Sequence, residues 1–389
     1  MSVRHTLIVP IHNGSEFIHL FWHSLLPNVL EQTELLIVDD GSREDLGRLV
    51  PKEAEALQPR IFRNDQPQGY ARAVNRALKE ARGEYIYLLN TDLILGRDAL
   101  ALICDTLDAD PSVGVVGAKL LYPQTGKIQH FGLAFTPTRK LHIFTHMDPD
   151  HALVSVTREF QAVTFALCGF RRLLLTEVGV LDSDFCNGCE DIDYSLRVTR
   201  AGYRNVVPPG VASYHWESLS GESARHVATL ENEARFWGRW SASVHTDLGA
   251  FVAEGLSQFL DQHPDYRALP FTVVNLTAST DTQYVLAAIE SQFRGSRDFA
   301  MWDYSRAGRH SGQIWLAMAL PFDAIRTPRP FLLVVHEYPQ LLQNHYWFAQ
   351  RRAFGRHDIV IDHYGNVLEA ADPVFLSHAA RQKSPMDVS

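Results

Sequence analysis

Short apolar runs that alternate with helical periodicity, two of them closed by acidic residues, constrain this chain most. Leu35-Leu36-Ile37-Val38 runs into Asp39-Asp40-Gly41-Ser42, and Tyr85-Ile86-Tyr87-Leu88-Leu89 runs into Asn90-Thr91-Asp92. Runs of this length with turn residues at their ends read as strands buried on both faces, the pattern of a parallel sheet covered by helices. Residues 6–11 and 60–63 read as further strands. Between strands, residues 69–81 place Ala71, Val74, Ala77 and Leu78 on one helical face, and Gly83 ends the pattern. His12-Asn13-Gly14-Ser15 is a turn, with Ser15 placed to cap a helix from near Glu16. Such sheets bind ligands at the carboxyl ends of their strands. Asp39 and Asp92 fall there.

The rhythm continues downstream. Residues 113–118 and 160–167 read as strands, 171–178 as a short helix stopped by Gly179, and 190–201 as a helix stopped by Gly202. Val206-Val207-Pro208-Pro209 is a strand and turn leading to His215, and residues 222–240 are helical. After about Ser241 the pattern restarts, with a helix over 248–260 and strands over 271–276, 331–335 and 359–362. The chain of 389 residues is long enough for two domains. We place them at 1–240 and 241–389, the second an accessory α/β region of unknown fold serving acceptor binding or oligomerisation.

Composition narrows the function. A formal net charge of -9 argues against a nucleic-acid partner, which requires a basic surface. No apolar run reaches the length of a membrane span, residues 314–322 being far too short. The first strand begins without a signal-peptide core. The expected location is the cytoplasm. Cys186-Asn187-Gly188-Cys189 has CxxC spacing, but no second pair or histidine lies at ligand spacing, so these read as unpaired loop cysteines.

The acidic residues have bland and chemical readings. Asp92 closes a strand, as a turn residue or as a hard oxygen ligand holding Mg2+ or Mn2+ against a diphosphate. Asp39 is an ordinary turn residue or an acceptor for a base or ribose. Gly69 opens a helix whose N–H groups could face phosphate, with Arg72 as an added cation. Glu190 and Asp191 start a helix, where the dipole favours acids whatever their role. Adjacent helical residues point about 100° apart, so the two cannot share one task. Asp191 reads as the base that takes a proton from an attacking hydroxyl, and Glu190 as a residue orienting the acceptor or a loop. His215, between Tyr214 and Trp216, reads as structural by itself.

The ordered set is more specific than its parts. Asp39-Asp40-Gly41-Ser42, Asn90-Thr91-Asp92, Glu190-Asp191-Ile192-Asp193, Gly202-Tyr203-Arg204 and His215 together resemble the family 2 inverting glycosyltransferases of the GT-A fold, in their rhamnosyltransferase-like branch. The resemblance runs from about Thr6 to Trp240. It implies a Rossmann-like, mainly parallel sheet with helices on both faces, a UDP- or dTDP-sugar donor, a glycan or lipid-linked glycan acceptor, and a role in surface-polysaccharide assembly. It implies that Pro10, His12 and Asp39 line the nucleotide pocket, and Gly69, Arg72 and Thr91 join them as donor-site candidates. Asp92 and His215 would hold the metal, with Asp191 as base and Glu190 beside it. A lipid-linked acceptor would bring contact with the inner face of the membrane, and homo-oligomerisation stays open.

Two departures stand out. The metal motif is Asn90-Thr91-Asp92, with one carboxylate fewer than the family's Asp-x-Asp. Thr164-Phe165-Ala166 replaces a Gly-Ala pair and is expected to put the Phe165 ring near the acceptor. The rival readings are a non-catalytic module that binds a glycan or protein, and a nucleotidyltransferase, for which the basic Gly-rich phosphate loop is absent. In the C-terminal region, the aromatic clusters His336-Glu337-Tyr338 and His345-Tyr346-Trp347-Phe348 read as core or interface before sugar stacking.

Overall fold

The computed structural model describes residues 3–14, 18–216, 223–264, 271–275, 282–292, 299–303, 331–335, 359–362 and 366–369. The expected Ser15 cap, the apolar run 314–322, the aromatic clusters at 336–338 and 345–348, and the polar tail from Arg381 lie outside these residues. The chain forms two compact units, one of residues 1–134 and 140–244, the other of 135–139 and 245–389.

The strands of the first unit, in chain order, are β1 (His5–Ile11), β2 (Thr33–Asp39), β3 (Arg60–Arg63), β4 (Tyr85–Leu89), β5 (Leu93–Ile94), β6 (Val113–Gly117), β7 (Lys119–Leu121), β8 (Ile128–His130), β9 (Leu133–Phe135), β10 (Lys140–His142), β11 (Arg158–Phe160), β12 (Leu167–Arg171), β13 (Arg204–Val207) and β14 (Ala212–His215). Phe135, the last residue of β9, clusters with the second unit. Eight strands make the main sheet in the order β11-β13-β6-β12-β4-β1-β2-β3. The β4-β1-β2-β3 half is parallel throughout. β12 lies antiparallel between β4 and β6. The apolar runs therefore form the parallel half that the sequence predicts, and both their faces are buried. Leu36, Ile37, Val38, Leu88 and Leu89 are wholly inaccessible, each such side chain contributing ~1.5–3 kcal/mol.

The expected strand over 160–167 is divided. β11 ends at Phe160 and β12 begins at Leu167, with an irregular stretch between them. Its apolar residues Ala162, Val163 and Phe165 are buried, so hydrophobicity there signals core without signalling strand. That stretch supplies backbone groups to the site.

A smaller sheet, β5-β14-β7-β8, carries the rest of the site. β5 pairs antiparallel with β14, His215 opposite Leu93, and the Trp216 N–H extends the ladder to the Asp92 carbonyl at 2.9 Å. This pairing brings the end of the Asn90-Thr91-Asp92 loop beside His215.

The second unit holds a five-stranded sheet, whose β15 (Phe271–Asn275), β16 (Phe299–Asp303), β17 (Phe331–Val335) and β18 (Ile359–Asp362) pair in parallel, closed by antiparallel β19 (Val367–Glu369). Helices Leu248–Gln262 and Thr282–Gln292 bury Val252, Leu256, Leu260, Val285 and Ile289. Among the described residues, no helix is long and apolar enough to cross a membrane.

Candidate active site

The carboxyl ends of β1, β2 and β4 open on one edge of the sheet. At β2, the adjacent acids have separate tasks. Asp40 is a clamp: its carboxylate accepts from the Asn64 side chain and from the Gln68 and Gly69 N–H groups at 2.7–3.0 Å. Asp39 is fully buried, accepts from the Ser42 N–H at 2.9 Å through Oδ1, and has Arg63 Nε 3.3 Å from Oδ2. That second oxygen has no hydrogen-bond partner, the arginine being misaligned, so it is a buried acceptor awaiting a donor. Gly41 fits the turn because φ is +69° and a Cβ would lie 2.7 Å from the Gln66–Pro67 backbone. Pro10 is half-buried in β1. His12 follows it, exposed, with Nδ1 2.8 Å from the Asp40 carbonyl.

The helix Tyr70–Leu78 begins at Gly69, φ +90°. Two N–H groups at its start have protein partners. The Gly69 N–H donates to Asp40 and the Tyr70 N–H to Asn187 Oδ1 at 2.8 Å. Arg72 is exposed, with Nε 3.5 Å from the Ser183 carbonyl. The CxxC segment is thus a structural loop. Asn187 joins it to the Tyr70 helix, and Asn232 grips the Cys186 backbone through both N–H and C=O, at 3.1 and 2.8 Å.

That loop ends where the helix Glu190–Arg200 starts. Its three acids face three environments. Asp193 is fully buried and bound by Arg197 Nε at 2.9 Å, Arg239 at 2.7 Å and Trp240 Nε1 at 2.9 Å, so it anchors the helix. Glu190 is buried and accepts from the Gly188 N–H at 2.6 Å. Loss of hydration, then the neighbouring Asp191 charge, pushes its carboxyl up to about 8. Asp191 is only half-buried. Desolvation raises its pKa too, opposed by the Ile192 N–H at 2.8 Å and the Phe165 N–H at 3.3 Å. The two carboxyls titrate as a pair, and geometry separates them: Glu190 is turned onto the Gly188 N–H, while Asp191 is held by the Ile192 and Phe165 N–H groups.

Phe165 departs from its expected place. Its ring is buried edge-on against Tyr194, centroids 5.7 Å apart. Only its backbone serves the site, the N–H donating to Asp191 and the carbonyl accepting from Tyr70 Oη at 3.1 Å. Burial first, then Cys168, Glu190, Asp191 and Asp92, push the Tyr70 hydroxyl well above its ordinary value.

Thr91 and Asp92 are half-buried after β4. Asp92 Oδ1 lies 3.2 Å from His215 Nε2, yet is a buried oxygen without a hydrogen-bond partner. Among the described residues, no three His, Cys, Asp or Glu side chains gather into a metal cage. An orphaned carboxylate oxygen beside an imidazole nitrogen does fit a divalent ion whose remaining ligands are diphosphate oxygens and water, as Mg2+ prefers.

Sequence reasoning missed Tyr70, Gln129 and a histidine pair. His130, wholly buried, has Nε2 3.3 Å from the N–H groups of Gly132 and Thr164 and Nδ1 2.8 Å from His142 Nδ1. Burial, then the charges of His142 and His215, hold its pKa well below the usual histidine value. The Gln129-His130 dipeptide carries no sequence signal of these long-range contacts.

The sheet order and the acids at its strand ends define a GT-A glycosyltransferase fold. Residues 6–174 match the family described as glycosyl transferase family 2. The chain is 32% identical over 241 residues to an uncharacterized protein, y4gI, of Sinorhizobium fredii, covering 59% of this chain and 26% of that one. It is 27% identical over 252 residues to the O-antigen biosynthesis protein RfbC of Myxococcus xanthus, covering 61% of this chain and 19% of that one. The chain thus spans about a quarter or less of these relatives' length. A crystal structure of GalNAc-T7 with UDP, GalNAc and Mn2+ superposes with a TM-score of 0.50 at 14% identity, over 75% of this chain and 59% of that one.

Proposed function

We propose that the first unit transfers a sugar from a nucleotide-diphosphate donor to a hydroxyl of a glycan or lipid-linked glycan during polysaccharide assembly, with inversion at the anomeric carbon. The observation that carries this reading is the division of labour between Glu190 and Asp191. Glu190 is turned onto the Gly188 N–H, which leaves Asp191, held by the Ile192 and Phe165 N–H groups, as the oriented carboxylate that serves as base. The name of the M. xanthus relative supports the polysaccharide setting. Asp39 Oδ2, a buried acceptor at the end of β2, suits a base N–H, and the preference for UDP- or dTDP-sugars rests on the family resemblance.

In the reaction, Asp191 takes the proton of the acceptor hydroxyl as its oxygen bonds to the anomeric carbon. The bond to the diphosphate breaks on the opposite face, and its electron pair leaves with the phosphate oxygen. Asp92 and His215 would hold Mn2+ or Mg2+, which when bound supplies positive charge to the leaving diphosphate. Phe165 and Ile192 N–H groups fix Asp191, and Gly188 holds Glu190 away from the acceptor. The second unit is proposed to bind acceptor or a second copy.

The stereochemistry tests this reading. Donor consumption in the presence of simple glycosides, followed by proton NMR on a panel of α-linked UDP-, dTDP- and GDP-sugars, is expected to yield a β-linked product. An α-linked product contradicts single displacement. Consumption of no donor directs attention to a non-catalytic binding module.

A further inference from the structure

His215 can serve at the candidate metal site only if its ring is held in one orientation and one tautomer. The structure contains a group built to hold it. Gln129 is buried, 5% exposed. It occupies a β-bulge: Leu120 pairs with His130 and Leu121 with Ile128, so Gln129 is the extra residue of β8. Bulges re-aim side chains, and this one reaches past the end of β7 to β14. Gln129 Nε2 donates to the His215 carbonyl at 3.1 Å, and Gln129 Oε1 lies 2.8 Å from His215 Nδ1.

The protein's own hydrogen bonds fix the chemistry of this clamp. The His215 carbonyl can only accept, so the amide NH2 must face it and the amide oxygen must face the ring. His215 Nδ1 must then carry the hydrogen. In the neutral ring this leaves Nε2 with its lone pair, 3.2 Å from an Asp92 oxygen that has no hydrogen-bond partner. A cation bound by both atoms would give each a partner. The strand beneath is rigid: the Gln129 carbonyl accepts from Thr145 Oγ1 at 3.2 Å, and Ile128 exchanges backbone bonds with His146 and Met147.

We propose that Gln129 is a positioning residue that sets the tautomer and direction of His215 and so completes the cation site with Asp92. The inference rests on the glycosyltransferase reading, and its test separates the two. Mn2+ binding in the presence of UDP is followed by the EPR signal of free Mn2+, for the wild type, His215→Ala, Gln129→Met and Gln129→Glu. UDP binding without metal and thermal stability are measured alongside. Gln129→Met keeps the volume and loses both hydrogen bonds, and is expected to weaken Mn2+ about 10–100-fold, as partners of metal-bound histidines do. Gln129→Glu keeps an acceptor for Nδ1–H and should restore affinity to within a few-fold of wild type, which a merely structural role would not require. Metal-free UDP binding should be unchanged in both. If His215→Ala weakens Mn2+ while Gln129→Met does not, the inference is overturned and the site reading stands. If wild type binds no Mn2+ with UDP, the cation reading falls, and the inference with it.

Discussion

Asp191→Asn is expected to lower transfer by ~10²–10⁴-fold, the usual contribution of a positioned general base, while nucleotide binding stays within a few-fold of wild type. The substitution keeps shape and an acceptor for one of the Phe165 and Ile192 N–H groups, which donate to different oxygens of Asp191, but an amide cannot take the hydroxyl proton. Glu190→Gln should behave differently, although the two residues are adjacent. Glu190 is buried and holds its proton up to about pH 8, so a neutral amide mimics its working form. We expect near-normal rates at neutral pH. The alkaline limb should be lost, because in the wild type Glu190 ionises above that pH and places a second negative charge beside Asp191 and the diphosphate. Rate–pH profiles of both variants check this. A Glu190→Gln enzyme as inactive as Asp191→Asn would show that the roles are shared or reversed.

The largest stability effect is expected at Asp193. Its buried carboxylate compensates Arg197 and Arg239 and accepts from Trp240. Asp193→Ala leaves Arg197 Nε and Trp240 Nε1 without this acceptor, while Arg239 keeps Asp182, and breaking buried charge pairs costs ~3–5 kcal/mol. Arg239 is 37% exposed and can be rehydrated, so the lower end applies, about 3 kcal/mol. For a unit of this size that lowers the melting temperature by ~6–12 °C. Thermal unfolding followed by circular dichroism measures it. A shift under ~1 kcal/mol would mean that the helix carrying Asp191 is held by packing alone.

Why could Asp39, Asp92 and Asp191 be singled out as candidates from sequence? Each sits next to a local pattern, two at the ends of apolar runs and one at a helix start, and local patterns survive in one dimension. The division of labour within each acidic cluster could not be read. Asp40 proves to be a backbone clamp and Asp193 an anchor because of partners distant in the chain, Gly69 and Arg239 among them. The same reason hides Tyr70, Gln129 and His130. At Gly69 a helix start advertises N–H groups, and only the fold reveals that Asp40 and Asn187 accept from those of Gly69 and Tyr70. Phe165 was legible as apolar and bulky, and its inward turn depends on Tyr194, which sequence does not place beside it. The pairing of β5 with β14 brings Asp92 to His215, and strands this short announce themselves weakly.

The most direct test of the central claim is calorimetric titration of UDP, dTDP and GDP into wild type and Asp92→Ala, each with and without Mn2+. The account predicts that one nucleotide binds wild type tightly only with the metal, and that Asp92→Ala removes the metal dependence. Binding of no nucleotide, or binding indifferent to both the metal and Asp92, would contradict it.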